Sequence, residues 1–122
     1  MTKTNESKIR LSGLIDMDDT LQRLGDDQQL FYQVLRWFAA DLPNTLAGIE
    51  TCLVSGDAQK TREAVHKLKG SAANAGATGL HAMVVEAEQL CKANELAKVK
   101  TRMVSVRQEI NQIITLIEQL DD

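Results

Sequence analysis

The sequence predicts an all-α protein, an antiparallel four-helix bundle with a short additional N-terminal helix. Apolar side chains recur at steps of three and four along four long segments, which is the spacing of one helix face. The period-two alternation of half-buried strands is absent. Seven glycines and one proline in 122 residues are few for an all-β chain, which turns roughly every ten residues. Long amphipathic helices with short connections pack most simply as an antiparallel bundle.

The N-terminal residues 1–8 are polar and lack helical periodicity, so we expect a flexible tail there. The remaining residues 9–122 are predicted to form one domain, because a chain of this length has room for a single core. No repeat and no second domain are visible in the sequence.

Residues that end and begin helices mark the first half of the domain. A short helix is predicted to start at residue 16 or 17 and to run to residue 24, with Gly25 placed to end it. Asp26 and Asp27 then offer an N-cap and a negative first turn. Pro43 interrupts the helix that follows, and we expect a kink rather than a break, because the apolar stripe keeps its phase. That stripe consists of Phe31, Val34, Leu35, Phe38, Leu42, Leu46, Ile49 and Leu53.

Three further boundaries divide the second half of the chain. Ser55-Gly56-Asp57 indicates a helix end followed by an N-cap, and the helix it opens is expected to run to about Ala75. Residues 76–79 form the next turn with Thr78 as the expected cap, and Asn94 marks the end of the helix after it. The apolar stripes of the last two helices are Leu80, Met83, Val84, Ala87, Leu90 and Cys91, and then Val99, Met103, Val106, Ile110, Ile113, Ile117 and Leu120.

Composition and charge exclude several classes of protein. The net charge of −3 gives no reason to expect nucleic-acid binding, which requires strongly basic surfaces. No apolar run reaches the roughly 18 residues of a membrane span, and no signal-peptide core is present, so we expect a cytoplasmic protein. Cys52 and Cys91 form neither a metal-binding pair nor a disulfide framework, and we expect them to be reduced. No metal or cofactor site is predicted.

The chemically informative stretch surrounds His66. At about 100° per residue, His66 lies more than about 100° from the middle of the apolar arc of its helix and therefore faces solvent. Gly70 and Ala73 flank it one turn and two turns later. A glycine within a helix costs about 1 kcal/mol relative to alanine, so Gly70 indicates space kept open beside the histidine. The apolar arc consists of Ala64, Val65, Leu68, Ala72 and Ala75.

The same helix is locally basic. From Gln59 to Gly70 four basic residues face Glu63 alone, a formal charge of +3 in a chain that is negative overall. An imidazole with an unperturbed pKa near 6.5 is a neutral nucleophile at cytoplasmic pH. Lys69, three residues after His66, could stabilise a phosphoryl group on the ring by charge-assisted hydrogen bonds.

Each of these features also has a simpler interpretation. The histidine could be merely solvated, the glycine could mark a close helix–helix contact, and the lysines could serve solubility. The residues by themselves therefore leave phosphate chemistry as one alternative among several.

A family resemblance favours phosphate chemistry. The segment Ala64-Val65-His66-Lys67-Leu68-Lys69-Gly70, with Gly76 ten residues after the histidine, resembles the signature of histidine-containing phosphotransfer (HPt) domains. The segment Leu21-Gln22-Arg23-Leu24-Gly25-Asp26 before Phe31 and the position of Pro43 are also similar to that family. The resemblance covers roughly residues 13–118.

The resemblance implies a four-helix bundle with a short extra N-terminal helix that carries phosphate between receiver domains. Its exposed histidine, His66, would take phosphate from an aspartyl phosphate on one receiver and pass it to an aspartate on another. Lys69 would be the charge stabiliser and Gly70 the position that lets a receiver approach. Glu88 matches by count a residue of the next helix that orients the ring. Val65 departs from the family, which commonly has alanine there.

We expect a monomeric phosphocarrier that is not an autonomous catalyst. It should neither bind ATP nor hydrolyse phosphate, because the sequence has no Gly-rich nucleotide loop and five amphipathic helices leave no parallel sheet for a receiver's aspartate pocket. Any magnesium would come with the receiver. A dimerising kinase helix pair is disfavoured, because that arrangement uses two helices per chain beside an ATP-binding domain. A non-catalytic helical adaptor is the main alternative. A metal or haem bundle is disfavoured because His66 and His81 lie 15 residues apart, without Glu-x-x-His spacing.

Overall fold

The computed structural model describes residues 3–120, and within this range the chain forms six helices. They are α1 (Lys3–Leu11), α2 (Met17–Arg23), α3 (Gln28–Ser55), α4 (Ala58–Ala75), α5 (Thr78–Lys92) and α6 (Leu96–Glu118). Helix α3 packs against α4, α4 against α5, and α5 against α6. Helix α3 also packs against α6, which closes the bundle. Helix α1 packs on α6 and α2 on α3. The predicted all-α bundle is confirmed.

Side-chain caps and left-handed residues set the helix boundaries. The side chains of Asp27 and Asp57 each accept a hydrogen bond of 3.0 Å from the backbone amide three residues later, at the starts of α3 and α4. Gly56 and Gly76 end these two helices in the left-handed conformation. Helix α3 runs through Pro43 without a break, as its continuous apolar stripe predicts.

The core follows the predicted stripes closely. Every residue of the stripe predicted for the last helix is buried, including Leu120, which follows the end of α6. Val34, Ala64, Met83 and Leu90 lie at the margins of their stripes and are only partly buried. Among the residues that the structure describes, no helix is both long and apolar enough to cross a membrane.

The N-terminal segment differs from the prediction of a flexible tail over residues 1–8. From Lys3 onward this segment belongs to α1, and residues 1 and 2 lie outside the described part of the chain. Ser7 is buried and donates a 2.6 Å hydrogen bond to Gln119 Oε1, while Leu11 is fully buried. Because a serine occupies one of these two buried positions, the helix has little apolar periodicity to reveal it.

The start of α5 also differs from the sequence prediction, in which Thr78 is the N-cap. Thr78 is the first residue of the helix, and the N-cap is Ala77, which makes no side-chain hydrogen bond. Ala77 is fully buried. Packing of this small side chain into the core therefore replaces the polar cap that the sequence predicts.

Gly76 allows α2 to lie directly on the turn between α4 and α5. The Asp16 amide donates to the Gly76 carbonyl at 2.8 Å, and the Thr20 hydroxyl contacts the Ala75 carbonyl at 3.4 Å. A Cβ at Gly76 would overlap the Thr20 hydroxyl oxygen and lie 3.1 Å from the Asp16 carbonyl. Gly76 is therefore required both by its φ of +75° and by this close approach.

We predict that Gly76→Ala lowers the free energy of unfolding by about 2–4 kcal/mol, through left-handed strain and overpacking together. Gly56→Ala is the matched control, because Gly56 has a φ of +74° and open space around it. Urea denaturation followed by circular dichroism should show the larger loss for Gly76→Ala. Equal losses would mean that the α2 contact contributes nothing.

Candidate functional site

Helices α4 and α5 bring three of the predicted site residues into one hydrogen-bonded cluster. His66 Nδ1 lies 2.7 Å from Glu88 Oε2, and Lys69 Nζ donates to Glu88 Oε1 at 2.7 Å. His66 and Lys69 are on α4, whereas Glu88 reaches across from α5. Glu88, which was matched to the family by count, therefore lies against the histidine. We call these three residues the His66–Glu88–Lys69 cluster.

Glu88 is a charged residue at a buried position. Its side chain is 5% exposed, compared with 65% for His66 and 28% for Lys69. The hydrogen bond from Lys69 lowers the pKa of Glu88, and the contact with His66 lowers it further, against the raising effect of burial. The carboxylate is therefore ionised at neutral pH, with both oxygens engaged.

The ionised carboxylate determines which nitrogen of His66 carries the proton. A carboxylate can only accept hydrogen bonds, so Nδ1 must be the donor in the contact with Glu88. In the neutral ring this leaves Nε2 unprotonated, with its lone pair available. The side chain is 65% exposed, so the ring is accessible to an incoming group.

Gly70 has open space around it. A Cβ added at Gly70 would meet no atom within 4 Å, so this glycine does not mark a close helix–helix contact. The same is true of Gly48 on α3. Both line a groove of about 910 Å³ between α3 and α4, which we call the α3–α4 groove. The space that the sequence predicts beside His66 is present.

The sequence predicts that Lys69 stabilises a phosphoryl group on the ring of His66. Its ammonium group instead donates to Glu88. His81 takes no part in the cluster. Arg62 and Gln59, which sequence reasoning did not single out, line one cavity with His66. The i, i+4 spacing of Arg62 and His66 was the available signal.

A model of the Hpt domain family matches residues 33–122. The chain belongs to the Hpt domain family. Hpt domains are phosphocarriers that work with receiver domains in two-component phosphorelays, and they are not autonomous catalysts. No curated protein sequence matches the chain.

Two solved structures are similar in fold. The HPT domain of a sensor hybrid histidine kinase from Shewanella has a TM-score of 0.75 and 20% identity, over 87% of this chain and 92% of that domain. A rice protein described as a histidine-containing phosphotransfer protein has a TM-score of 0.60 and 23% identity, over 97% of this chain and 98% of its own. At these identities the likeness shows the helical bundle alone.

We predict that Glu88 makes stability depend on pH in the acid range. The pKa of Glu88 is lower in the folded protein than its ordinary value of 4.5. The contribution of Glu88 to the free energy of unfolding is therefore complete above pH 4.5 and is lost as the pH falls through the lowered pKa. Urea denaturation between about pH 7 and pH 3 should show wild type losing stability relative to Glu88→Gln at the acid end.

Glu109 on α6 provides a control of opposite sign. Burial raises its pKa, and its Oε2 atom is buried without a hydrogen-bond partner. The contribution of Glu109 to the free energy of unfolding is therefore present below its ordinary pKa of 4.5 and is lost as the pH rises through the raised pKa. Wild type should accordingly gain stability relative to Glu109→Gln as the pH falls. A constant difference between wild type and Glu88→Gln at every pH would contradict the ionised cluster.

Proposed function

We propose that this protein is the phosphocarrier of a multistep phosphorelay and carries the phosphoryl group on Nε2 of His66. The observation that supports the proposal is the 2.7 Å contact between Nδ1 and the buried Glu88 carboxylate. This contact leaves Nε2 as the unprotonated nitrogen on an exposed ring. An adaptor without chemistry has no need of an ionised carboxylate at a buried position, where burying charge is costly.

The transfer is a displacement at phosphorus. The Nε2 lone pair forms an N–P bond while the bond between phosphorus and the aspartyl oxygen of a donor receiver breaks, and the aspartate leaves as a carboxylate. Nδ1 keeps its proton, so the ring becomes positively charged and faces the Glu88 carboxylate. The reverse displacement, by the aspartate of an acceptor receiver, restores neutral His66.

The α3–α4 groove is the surface that we propose for receiver docking. It is lined by Gly70, one turn after His66 on α4, and its open glycines, Gly48 and Gly70, let another protein's backbone approach closely. The basic residues of α4 suit the acidic site of a receiver. We further propose that the carrier works as a monomer in the cytoplasm, with no membrane or nucleic-acid partner. ATP binding is not part of the proposal, and any magnesium belongs to the receiver.

We predict that His66→Gln abolishes labelling by a phosphorylated receiver, because it removes the nucleophile. The label on wild type should be acid-labile and alkali-stable, as expected for phosphohistidine. His81→Gln is the control and should be labelled like wild type. A label that persists in His66→Gln and disappears in His81→Gln would contradict the assignment.

We predict that Gly70→Gln impairs exchange with receivers while stability holds or rises slightly, since a helix-weakening glycine is removed from open space. Phosphoramidate, a small phosphoryl donor that needs no docking surface, should still label this variant at the wild-type rate. The measurements are receiver exchange kinetics, phosphoramidate labelling and urea denaturation. Wild-type exchange with receivers, or an unfolded variant, would show that Gly70 does not keep space for docking.

A further inference from the structure

The cluster around His66 lacks a net positive charge for a phosphoryl group. The Lys69 ammonium and the Glu88 carboxylate are in direct contact, so their unit charges cancel at the distance of the ring. The phosphoryl group on a histidine carries up to two negative charges and needs cationic or hydrogen-bonding partners. The phosphorylated ring supplies one positive charge, and a further cation near Nε2 would compensate the second negative charge of the phosphoryl group.

Arg62 occupies the required place. It lies four residues before His66, which puts the two side chains side by side on the surface of α4. Helical side chains lean toward the N-terminus of their helix, so the ring of His66 covers the turn that contains Arg62. The two residues line a common cavity of about 440 Å³ together with Gln59, Glu63, Lys67 and Glu88.

Arg62 also lies on the side of His66 that faces α5. On the helical projection Arg62 and Lys69 are displaced from His66 by about 40° and 60° in the same direction, whereas Gly70 is displaced by about 40° in the other. Electrostatics agree with this placement. Burial raises the pKa of the Cys91 thiol on α5 and Glu88 raises it further, while Arg62 opposes both.

Among residues 3–120, no carboxylate forms an ion pair with Arg62, so its charge is available for a ligand. Lys67 lines the same cavity but is adjacent to His66 in sequence, and neighbouring side chains on a helix do not face each other. Lys67 also lines the α3–α4 groove. A guanidinium group, with several donors in one plane, is better suited to phosphate oxygens than an ammonium group.

We propose that Arg62 contacts the phosphoryl group carried on Nε2 of His66, and that Lys69 acts mainly through Glu88 as a positioning residue. This inference rests on the proposed function and assigns the cation within the same site. Arg62 compensates the negative charge on the three phosphoryl oxygens while the N–P bond forms. Lys69 holds the carboxylate that orients the ring.

The test uses phosphoramidate, which labels the histidine without a protein partner and so separates chemistry from docking. Its P–N bond breaks as the N–P bond to His66 forms, and ammonia leaves. Arg62→Gln should reduce the labelling rate about 10-fold or more, as expected for the loss of a charged hydrogen bond. Arg62→Lys should retain most of the rate. Lys100→Gln, which removes one positive charge from α6, should label like wild type and controls for net charge.

A second measurement separates the roles of the two cations. Lys69→Ala and Glu88→Gln act on one contact, so together they should slow labelling by less than the product of their separate factors, whereas Arg62→Gln should slow labelling by the same factor in either background as in wild type. Circular dichroism should show unchanged helical content for each variant. Wild-type labelling of Arg62→Gln, or a full additional effect of Lys69→Ala, would overturn the inference and leave the proposed function standing. If wild type is labelled neither by phosphoramidate nor by receivers, the proposed function itself fails.

Discussion

The Glu88 carboxylate lies in the seam between α4 and α5 with 5% of its side chain exposed, and it remains ionised there because Lys69 and His66 both hydrogen-bond to it. The chemistry of the site follows from this arrangement. The ionised carboxylate requires a proton on Nδ1, which leaves Nε2 free to react. An unpaired buried charge would be strongly unfavourable, so the same contacts that orient the ring also keep the carboxylate in place. The hydrogen bonds of Glu88 to His66 and Lys69 therefore both position the histidine and stabilise the contact between α4 and α5.

The bundle positions this seam through the tight turn between α4 and α5. His66 and Glu88 are 22 residues apart and meet only if α5 returns along α4 in the correct register. Gly76 ends α4 in the left-handed conformation, Ala77 packs into the core, and α2 covers the turn through Thr20. Because these contacts leave little freedom for the turn, the offset between the two helices is fixed. The glycine ten residues after the histidine is thus part of the geometry of the site.

Most of the bundle was predictable from the sequence, because apolar periodicity and capping residues are local signals. Asp27, Asp57, Gly56 and Gly76 each act at the boundary where the sequence predicts one. Helix α1 was missed because one of its buried positions is occupied by Ser7, whose hydrogen bond to Gln119 depends on the tertiary structure. The Ala77 cap was missed for a similar reason, since it rests on core packing.

For the site, the sequence predicts the features that lie on one helix but not the contacts between helices. Helical projection places His66 on the surface and Gly70 beside it, and both follow from sequence spacing alone. The partnership between Lys69 and Glu88 was not accessible in that way, because it joins two helices and depends on side-chain reach. Once Lys69 pairs with Glu88, the charge near Nε2 has to be reconsidered, and this draws attention to Arg62. The sequence shows that α4 is basic, but only the ion pair between Lys69 and Glu88 shows which cation remains available to a phosphoryl group.

The central claim is that Glu88 holds the proton of His66 on Nδ1 and leaves Nε2 free. Nitrogen-15 NMR of the imidazole ring tests it most directly, because protonated and unprotonated ring nitrogens have widely separated chemical shifts. At a pH where His66 is neutral, the account predicts a protonated Nδ1 and an unprotonated Nε2 in wild type, with the preference weakened in Glu88→Ala. A neutral His66 with its proton on Nε2 in wild type would contradict the account.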